Sequence, residues 1–235
     1  MIMNDEKWLY NEMSHSGVDF SDSREVQIYD SYMQKIRNIE PEVAKMKDAL
    51  ILGSDDSVLD IGTGTGEMAI GLACHCKQVL AIDVSAAMIE YAEQKAERRG
   101  CSNITFQQAG FLTFAQPQQS LDRVISQFAL HHLPDFWKFI ALKRIYTALK
   151  PGGIFCLQDA VLPVKVDDYK RYFTDVVKQI EISGGEKVAR DTEKTIRDEY
   201  VTLDWIMEGL LEKAGFTITS QEYGAPFIGT YLCTK

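Results

Sequence analysis

VLDIGTGTGEMAI, residues Val58 to Ile70, decides the fold. Val58 to Ile61 read as the end of a buried strand and the residues beyond Gly66 as a helix, so Gly62, Gly64 and Gly66 fall in a strand-to-helix turn. In an open α/β sheet such a turn is where ligands bind, outside the carboxyl ends of the strands. Glycine there permits unusual backbone angles and lets a ligand reach the main chain without meeting a side chain. One glycine would suit a tight turn with no ligand; three in alternation point to a bound group.

The spacing narrows the ligand. The dinucleotide fingerprint G-x-G-x-x-G, counted from Gly62, requires a third glycine at position 67, which is Glu67. The turn also lacks the Lys and Ser/Thr of a phosphate-cradling loop, which disfavours a triphosphate. Asp83, closing the run Leu80-Ala-Ile-Asp-Val84, can accept both hydrogen bonds of a ribose 2′,3′-diol. Its distance of about 20 residues from the glycines suits NAD and adenosylmethionine alike. The third glycine, one position early, speaks against the dinucleotide.

Outward from this stretch, short apolar runs alternate with helical periodicity across residues 41–160, the pattern of a parallel sheet with crossover helices. The expected strands are Ser57 to Ile61, Gln78 to Asp83, Ile104 to Gln108, Leu121 to Ser126 and Gly153 to Asp159. The clearest helix has Ser85 as its cap, Met88, Ile89, Ala92 and Ala96 on one face, and Gly100 as its left-handed stop. Residues 1–40 carry scattered aromatics (Trp8, Tyr10, Phe20, Tyr29, Tyr32) and are expected to form helical cover. A charged helical insertion or lid spans 161–200. A helix ending at Gly215 and two strands, Thr217 to Tyr223 and Phe227 to Cys233, joined by a turn with Gly224 and Pro226, complete 201–235. The whole reads as one α/β domain, 1–235, with a doubly wound, mostly parallel sheet and an antiparallel C-terminal strand pair.

Composition bounds the partners. With 46% hydrophobic residues in 235, one substantial core is expected. The formal net charge of -9, with basic residues interleaved with acids, repels polyanions and disfavours nucleic acid. No long uncharged apolar run suggests a membrane span, and the acidic start lacks the apolar core of a signal peptide, so a cytoplasmic protein is expected. Five cysteines form an odd set and read as free thiols. Cys74-His75-Cys76 has no second ligand pair at zinc spacing, and no metal is expected.

Five motifs, Asp60-Ile-Gly-Thr-Gly-Thr-Gly66, Asp83-Val-Ser-Ala-Ala-Met88, Leu130-His-His-Leu-Pro-Asp135, Leu149-Lys-Pro-Gly-Gly153 and Leu211-Glu-Lys-Ala-Gly-Phe216, run in one order. In that order they resemble the class I S-adenosylmethionine-dependent methyltransferases, particularly the small-molecule branch with the ubiquinone and menaquinone enzymes. The resemblance covers 41–160 well and the remainder weakly. It implies that Gly62, Thr63, Gly64 and Gly66 lie against the methionine part of S-adenosylmethionine, Asp83 holds the ribose with Val84 among the cofactor contacts, and Met88 packs on the adenine or in the core. Asp60 would order the loop or meet the cofactor's ammonium through water. Many such enzymes carry an acid after the third strand for the adenine amino group. Here that place in Gln108-Ala-Gly-Phe111 is Gly110, so main-chain groups near Gly110 and the Phe111 ring are expected to hold the base.

Methyl transfer is an in-line displacement from a sulfonium that is already an excellent leaving group. Alignment is the protein's main task, and it can supply roughly 7 to 11 kcal/mol. Ser126 to His132 follow the fourth strand and should line the space near the methyl group, with Gln127 among the cofactor contacts. His131 or His132 is a candidate base for an acceptor that loses a proton, or else a backbone anchor for the next helix. Neither an Asn/Asp-Pro-Pro-aromatic run nor a Pro-Cys nucleophile is present, which speaks against methylation of nucleobases and for a small-molecule acceptor. In the insertion, Glu193 with Arg197 and Lys194 with Asp198 read as four-apart pairs, and Ser183-Gly184-Gly185 as a hinge or a plain loop. Tyr10, Tyr29 and Tyr32 are candidates to close the pocket. The alternatives are a nicotinamide-dependent oxidoreductase, disfavoured by Glu67, and a non-catalytic S-adenosylmethionine-binding module.

Overall fold

A strand buried on both faces must be apolar throughout or have its polar groups bonded, and β1 (Ser57–Ile61) meets this condition with all five residues buried. Its side chains alternate between two cores. Leu59 and Ile61 face one with Val124, Leu142, Phe155 and Leu211. Val58 faces the other with Ala69, Ala73, Val79 and Ala81. In the computed structural model, which describes residues 7–14, 23–33, 35, 37–163, 166–224 and 227–235, β1 lies inside the sheet with a parallel neighbour on each side.

The strands β2 (Gln78–Asp83), β3 (Ile104–Gln108), β4 (Leu121–Gln127), β5 (Leu149–Leu162), β6 (Thr202–Leu203), β7 (Thr217–Gly224) and β8 (Ile228–Thr234) complete the sheet in the order β3-β2-β1-β4-β5-β8-β7, with β6 paired to the end of β5. The first five strands are parallel. β8 runs antiparallel to β5, and β7 antiparallel to β8, forming the expected C-terminal pair at the edge. From β1 the chain winds outward through β2 and β3, then returns to β4 on the other side. That reversal opens a crevice at the carboxyl ends.

Eight α-helices lie among the described residues: α1 (Ser23–Met33), α2 (Ile39–Ala49), α3 (Glu67–Ala73), α4 (Ala86–Arg98), α5 (Asp135–Ala148), α6 (Tyr169–Gly184), α7 (Glu186–Asp198) and α8 (Asp204–Ala214). Helices α5 and α8 supply Leu142, Ile145 and Leu211 to one face of the sheet. From α2 and α3, Val43, Met46 and Leu72 pack with Ile125 and Cys156 on the other. Each such side chain contributes about 1.5–3 kcal/mol by burial. In α4 the Ser85 Oγ accepts from the Met88 N–H at 3.2 Å, as the capping signal predicted.

The strand readings hold for β1, β2 and β3 residue for residue. β5 is longer than Gly153 to Asp159, because Leu149 already pairs with Leu121, and Ala160 to Leu162 go on to meet β8 and β6. β6 itself is too short to carry a periodic signal. In the insertion, α6 and α7 meet at Gly185. Arg197 turns to Asp198 at 2.7 Å instead of bridging to Glu193. Among the described residues of the insertion, the four-apart pairs are Arg171 with Asp175, Lys187 with Asp191 and Glu186 with Arg190. Phe20, Pro226 and the Tyr32 side chain lie outside the described residues. Among the described residues, no helix is long and apolar enough to cross a membrane.

Candidate functional site

The crevice at the reversal is a cavity of about 560 Å³, within the range of small-molecule sites. The carboxyl ends of β1, β2 and β4 form its floor, with the β3 end at one side. Tyr29, Asp30 and Met33 of α1, with Tyr10, Glu12 and residues 37–40, close it from above. Asp60, Gly62, Thr63, Gly64, Asp83, Val84, Met88, Gly110, Phe111, Gln127 and His132 all line it. Gly66 and His131 do not.

The glycine turn follows from register. Ile61 of β1 is level with Ile82 of β2 and Ser126 of β4, so the three strands end together. The Ile82 carbonyl accepts from both Gly62 N–H at 2.8 Å and Thr63 N–H at 2.9 Å, which turns the chain back over β2. Gly62, Gly64 and Gly66 have φ of 76°, 54° and 77°, in the left-handed region that disfavours a side chain. They divide the work. A Cβ on Gly62 would meet the Ala129 Cβ at 2.3 Å, and one on Gly66 the Ala92 Cβ of α4 at 2.9 Å. A Cβ on Gly64 would meet nothing within 4 Å, which makes this residue an open stretch of backbone on the cavity wall.

Two carboxylates flank the turn. Asp83 accepts from Gly64 N–H and Ser85 N–H, both at 2.9 Å, which fixes its plane. Asp60, 2% exposed, accepts from the Thr63 hydroxyl at 2.7 Å. Burial pushes its pKa up to about 7, against the pull of the Thr63 hydrogen bond and the Arg37 charge, with the Asp83 charge adding to the rise.

Several cavity residues carried no signal in the sequence. Arg37 reaches Gln127 Oε1 at 3.2 Å, pairs with Glu42, and stands 5.5 Å over the Phe128 ring. Phe128 itself has a φ of 53°, a strained setting for an aromatic residue beside a site. Asp30 of α1 accepts from the Thr65 hydroxyl at 2.6 Å and pairs with Lys95, which also meets Glu67 at 3.0 Å. Lys95 is 6% exposed, so this network ties α1 to α4 beneath the surface. Burial opposes the Glu67 charge, yet Lys95 and Arg99 hold its carboxyl below the usual range. Glu12 accepts from Leu112 N–H at 2.9 Å and from the Thr113 hydroxyl at 2.8 Å.

The two histidines separate. His132 is half-buried on the cavity wall, and its carbonyl accepts from the Tyr10 hydroxyl at 3.0 Å. His131 is buried behind it, with Nδ1 on Asp159 and Nε2 3.1 Å from Glu199. Burial disfavours its charge, but the two carboxylates overcome this and raise its pKa to about 9. The imidazolium thus ties Glu199, just beyond α7, to Asp159 on β5. Among the described residues, His131, His132 and Glu199 also bring possible metal-ligand atoms within 4.8 Å of one another; Cys74-His75-Cys76 does not gather in this way. The Tyr-x-x-x-Lys spacing seen in some nicotinamide enzymes occurs at Tyr91 with Lys95, Tyr146 with Lys150 and Tyr231 with Lys235. None of these six residues lines the cavity.

Residues 58–153 match the model of a methyltransferase domain. An uncharacterized methyltransferase of Geobacillus kaustophilus is 31% identical over 168 residues, 72% of either chain. The demethylmenaquinone methyltransferase of Lactococcus lactis is 27% identical over 190 residues, 76% of this chain and 73% of its own. A solved S-adenosylmethionine-dependent methyltransferase from Aquifex aeolicus, 18% identical, shares the fold with a TM-score of 0.63 over 90% of this chain and 97% of its own. At the identity and coverage of the Geobacillus relative, the chain belongs to the S-adenosylmethionine-dependent methyltransferase family.

Proposed function

We propose that the cavity binds S-adenosylmethionine and that the protein transfers its methyl group to a small organic acceptor. The observation that carries this reading is the 2.9 Å hydrogen bond from Gly64 N–H to Asp83, which joins the glycine turn to the acid that ends β2 on one cavity wall. The residues fit the ligand. Open backbone at Gly64 suits the methionine part, with Thr63 beside it. Asp83, beside Val84, would take the ribose diol, and Met88 with Phe111 offers an apolar slot for the base. Asp60 carries the charge that an ammonium requires, and Gln127 lies across the cavity on β4.

S-adenosylmethionine supplies a methyl group on a sulfonium, so the acceptor's lone pair forms the new bond as the sulfur–methyl bond breaks. The chain's part is alignment and the exclusion of water under α1 and the Tyr10 segment. His132 is the imidazole on the wall and would take the proton where the acceptor loses one. His131, held between two carboxylates, would serve as a positioning residue behind it. A small acceptor agrees with the net charge of -9 and with the name of the Lactococcus relative.

Titration calorimetry with S-adenosylhomocysteine and with NADH, followed by labelled-methyl transfer into fractions of a small-molecule extract, tests the reading. Binding of the first ligand and label in an organic fraction are expected. Binding of NADH alone would overturn it, and cofactor binding with no transfer to any fraction would leave a binding module.

A further inference from the structure

We propose that Glu12, on the N-terminal segment, supplies the carboxylate that recognises the amino group of the adenine, in place of the acid that position 110 lacks. The inference rests on the reading that the cavity takes S-adenosylmethionine. It identifies a specificity residue a hundred positions from the loop it completes.

The first observation is coincidence in space. A Cβ added to Gly110 would lie 2.4 Å from Glu12 Oε2 and 2.5 Å from its carboxyl carbon. The space where an acidic side chain at 110 would begin is therefore filled by a carboxylate from elsewhere, and Gly110 is the residue that leaves room for it. Val84 Cγ1, at 2.7 Å from the same point, closes the remaining side.

The second observation is orientation. Leu112 N–H is shared by the two Glu12 oxygens at 2.9 and 3.0 Å, and the Thr113 hydroxyl donates to Oε1 at 2.8 Å. Thr113 Oγ1 in turn accepts from Gly110 N–H at 2.9 Å. The loop after β3 is thus organised around the Glu12 side chain. Two residues upstream, the Tyr10 hydroxyl donates to the His132 carbonyl at 3.0 Å, so the segment is anchored on both sides of the cavity.

The third observation is the company the carboxylate keeps. Glu12 shares the cavity wall with Met88, Ala109 and Phe111, which are 3%, 2% and 5% exposed. A flat apolar slot with one acceptor group suits a planar base that presents an N–H donor. A base with a carbonyl in place of the amino group would bring two acceptors together, and a buried polar contact of that kind discriminates strongly. Burial raises the Glu12 pKa while the Leu112 and Thr113 donors hold it down, so an N–H donor would stabilise the ionised form further.

The test uses titration calorimetry on the full chain and its Glu12→Gln and Glu12→Ala variants, with S-adenosylhomocysteine and its 6-oxo analogue, S-inosylhomocysteine. Thermal melting checks that each variant is folded. The wild type is expected to prefer the amino base by at least about tenfold, a factor worth about 1.4 kcal/mol. Both variants should lose about 10- to 100-fold in affinity for S-adenosylhomocysteine, as the loss of a charged hydrogen bond implies. Their affinity for the 6-oxo analogue should change by less than about threefold or improve. Equal losses for both ligands would mean that Glu12 only shapes the loop, and tighter binding of S-adenosylhomocysteine by Glu12→Ala would mean that the carboxylate occupies the ligand's place. Either result overturns the proposal. If the wild type itself fails to bind S-adenosylhomocysteine, it is the cofactor reading that fails, whereas normal binding with unaltered variants removes Glu12 alone.

Discussion

Gly64 N–H donates to Asp83 Oδ2 at 2.9 Å, across 19 residues of sequence and across the boundary between β1 and β2. The bond ties the two strongest motifs of the chain into one wall. With Ser85 N–H on its other oxygen, Asp83 is held rigidly before any ligand arrives. Replacing Asp83 by Ala should therefore weaken S-adenosylhomocysteine binding by about 10- to 100-fold and cost about 1–3 kcal/mol of stability, since two backbone donors lose their acceptor. Calorimetry and urea denaturation measure the two effects separately.

The turn glycines should respond differently to alanine. Both Gly64→Ala and Gly66→Ala incur the left-handed penalty of about 1–2 kcal/mol. At Gly66 the new methyl also meets Ala92 at 2.9 Å, whereas at Gly64 it enters open space on the cavity wall. Gly66→Ala should be the less stable variant, and Gly64→Ala the one whose ligand affinity falls more than its stability. Melting temperatures set beside dissociation constants test this ordering.

Asp60, with a pKa near 7, links binding to pH. Below that value it is protonated in the free protein, and an ammonium-bearing ligand must expel the proton. Affinity for S-adenosylhomocysteine should rise as pH climbs from about 6 to 8, by up to tenfold per unit, and then level off. Proton release on binding, read from calorimetry in buffers of different ionisation enthalpy, should vanish in Asp60→Asn. In stability the sign is opposite. A raised carboxyl pKa means that the folded chain holds the proton more tightly, so this group's contribution is lost as pH rises through 7.

His131 carries a different pH signature. Its pKa is raised from 6.5 to about 9 in the fold, so its stabilisation is complete below 6.5 and lost as pH rises through 9. The Asp159 carboxyl, held low by the His131 charge against the effect of burial, adds stability that is lost only in acid. The melting temperature should therefore fall between pH 7 and 10. His131→Ala should be about 3–5 kcal/mol less stable at pH 7, because it leaves Asp159 and Glu199 buried without their cation, and should lack that alkaline decline. Denaturation across the pH range checks both.

His132, in contrast, stands on the wall, and His132→Ala should keep both the fold and the affinity for S-adenosylhomocysteine. With an acceptor that must lose a proton, kcat should drop by about 10²- to 10⁴-fold. An unchanged kcat with such an acceptor would remove His132 from proton transfer.

Much of this molecule was legible along the chain. β1, β2 and β3 are short apolar runs bounded by turn residues, so their limits follow from local pattern. Ser85 and Gly100 mark the ends of α4 by local backbone chemistry. The local pattern of β5 stops at Asp159, because the pairing of Ala160 with Ile228 depends on a strand that arrives 68 residues later. The two adjacent histidines looked equivalent in sequence. Their separation follows from Asp159 and Glu199, which lie on β5 and beyond α7.

The sequence alone determined the α/β order, the glycine turn and the acid that ends β2, because each is written in contacts or backbone angles a few residues wide. The tertiary structure decided which groups complete the cavity. Arg37 meets Gln127 across 90 residues, Asp30 meets Thr65 across 35, and Glu12 meets Leu112 across 100. A single charged side chain in the N-terminal segment has no periodicity to reveal it. Its place is set only when that segment folds over the carboxyl end of the sheet, and there Gly110, which reads as a missing acid in the sequence, becomes the room that Glu12 occupies.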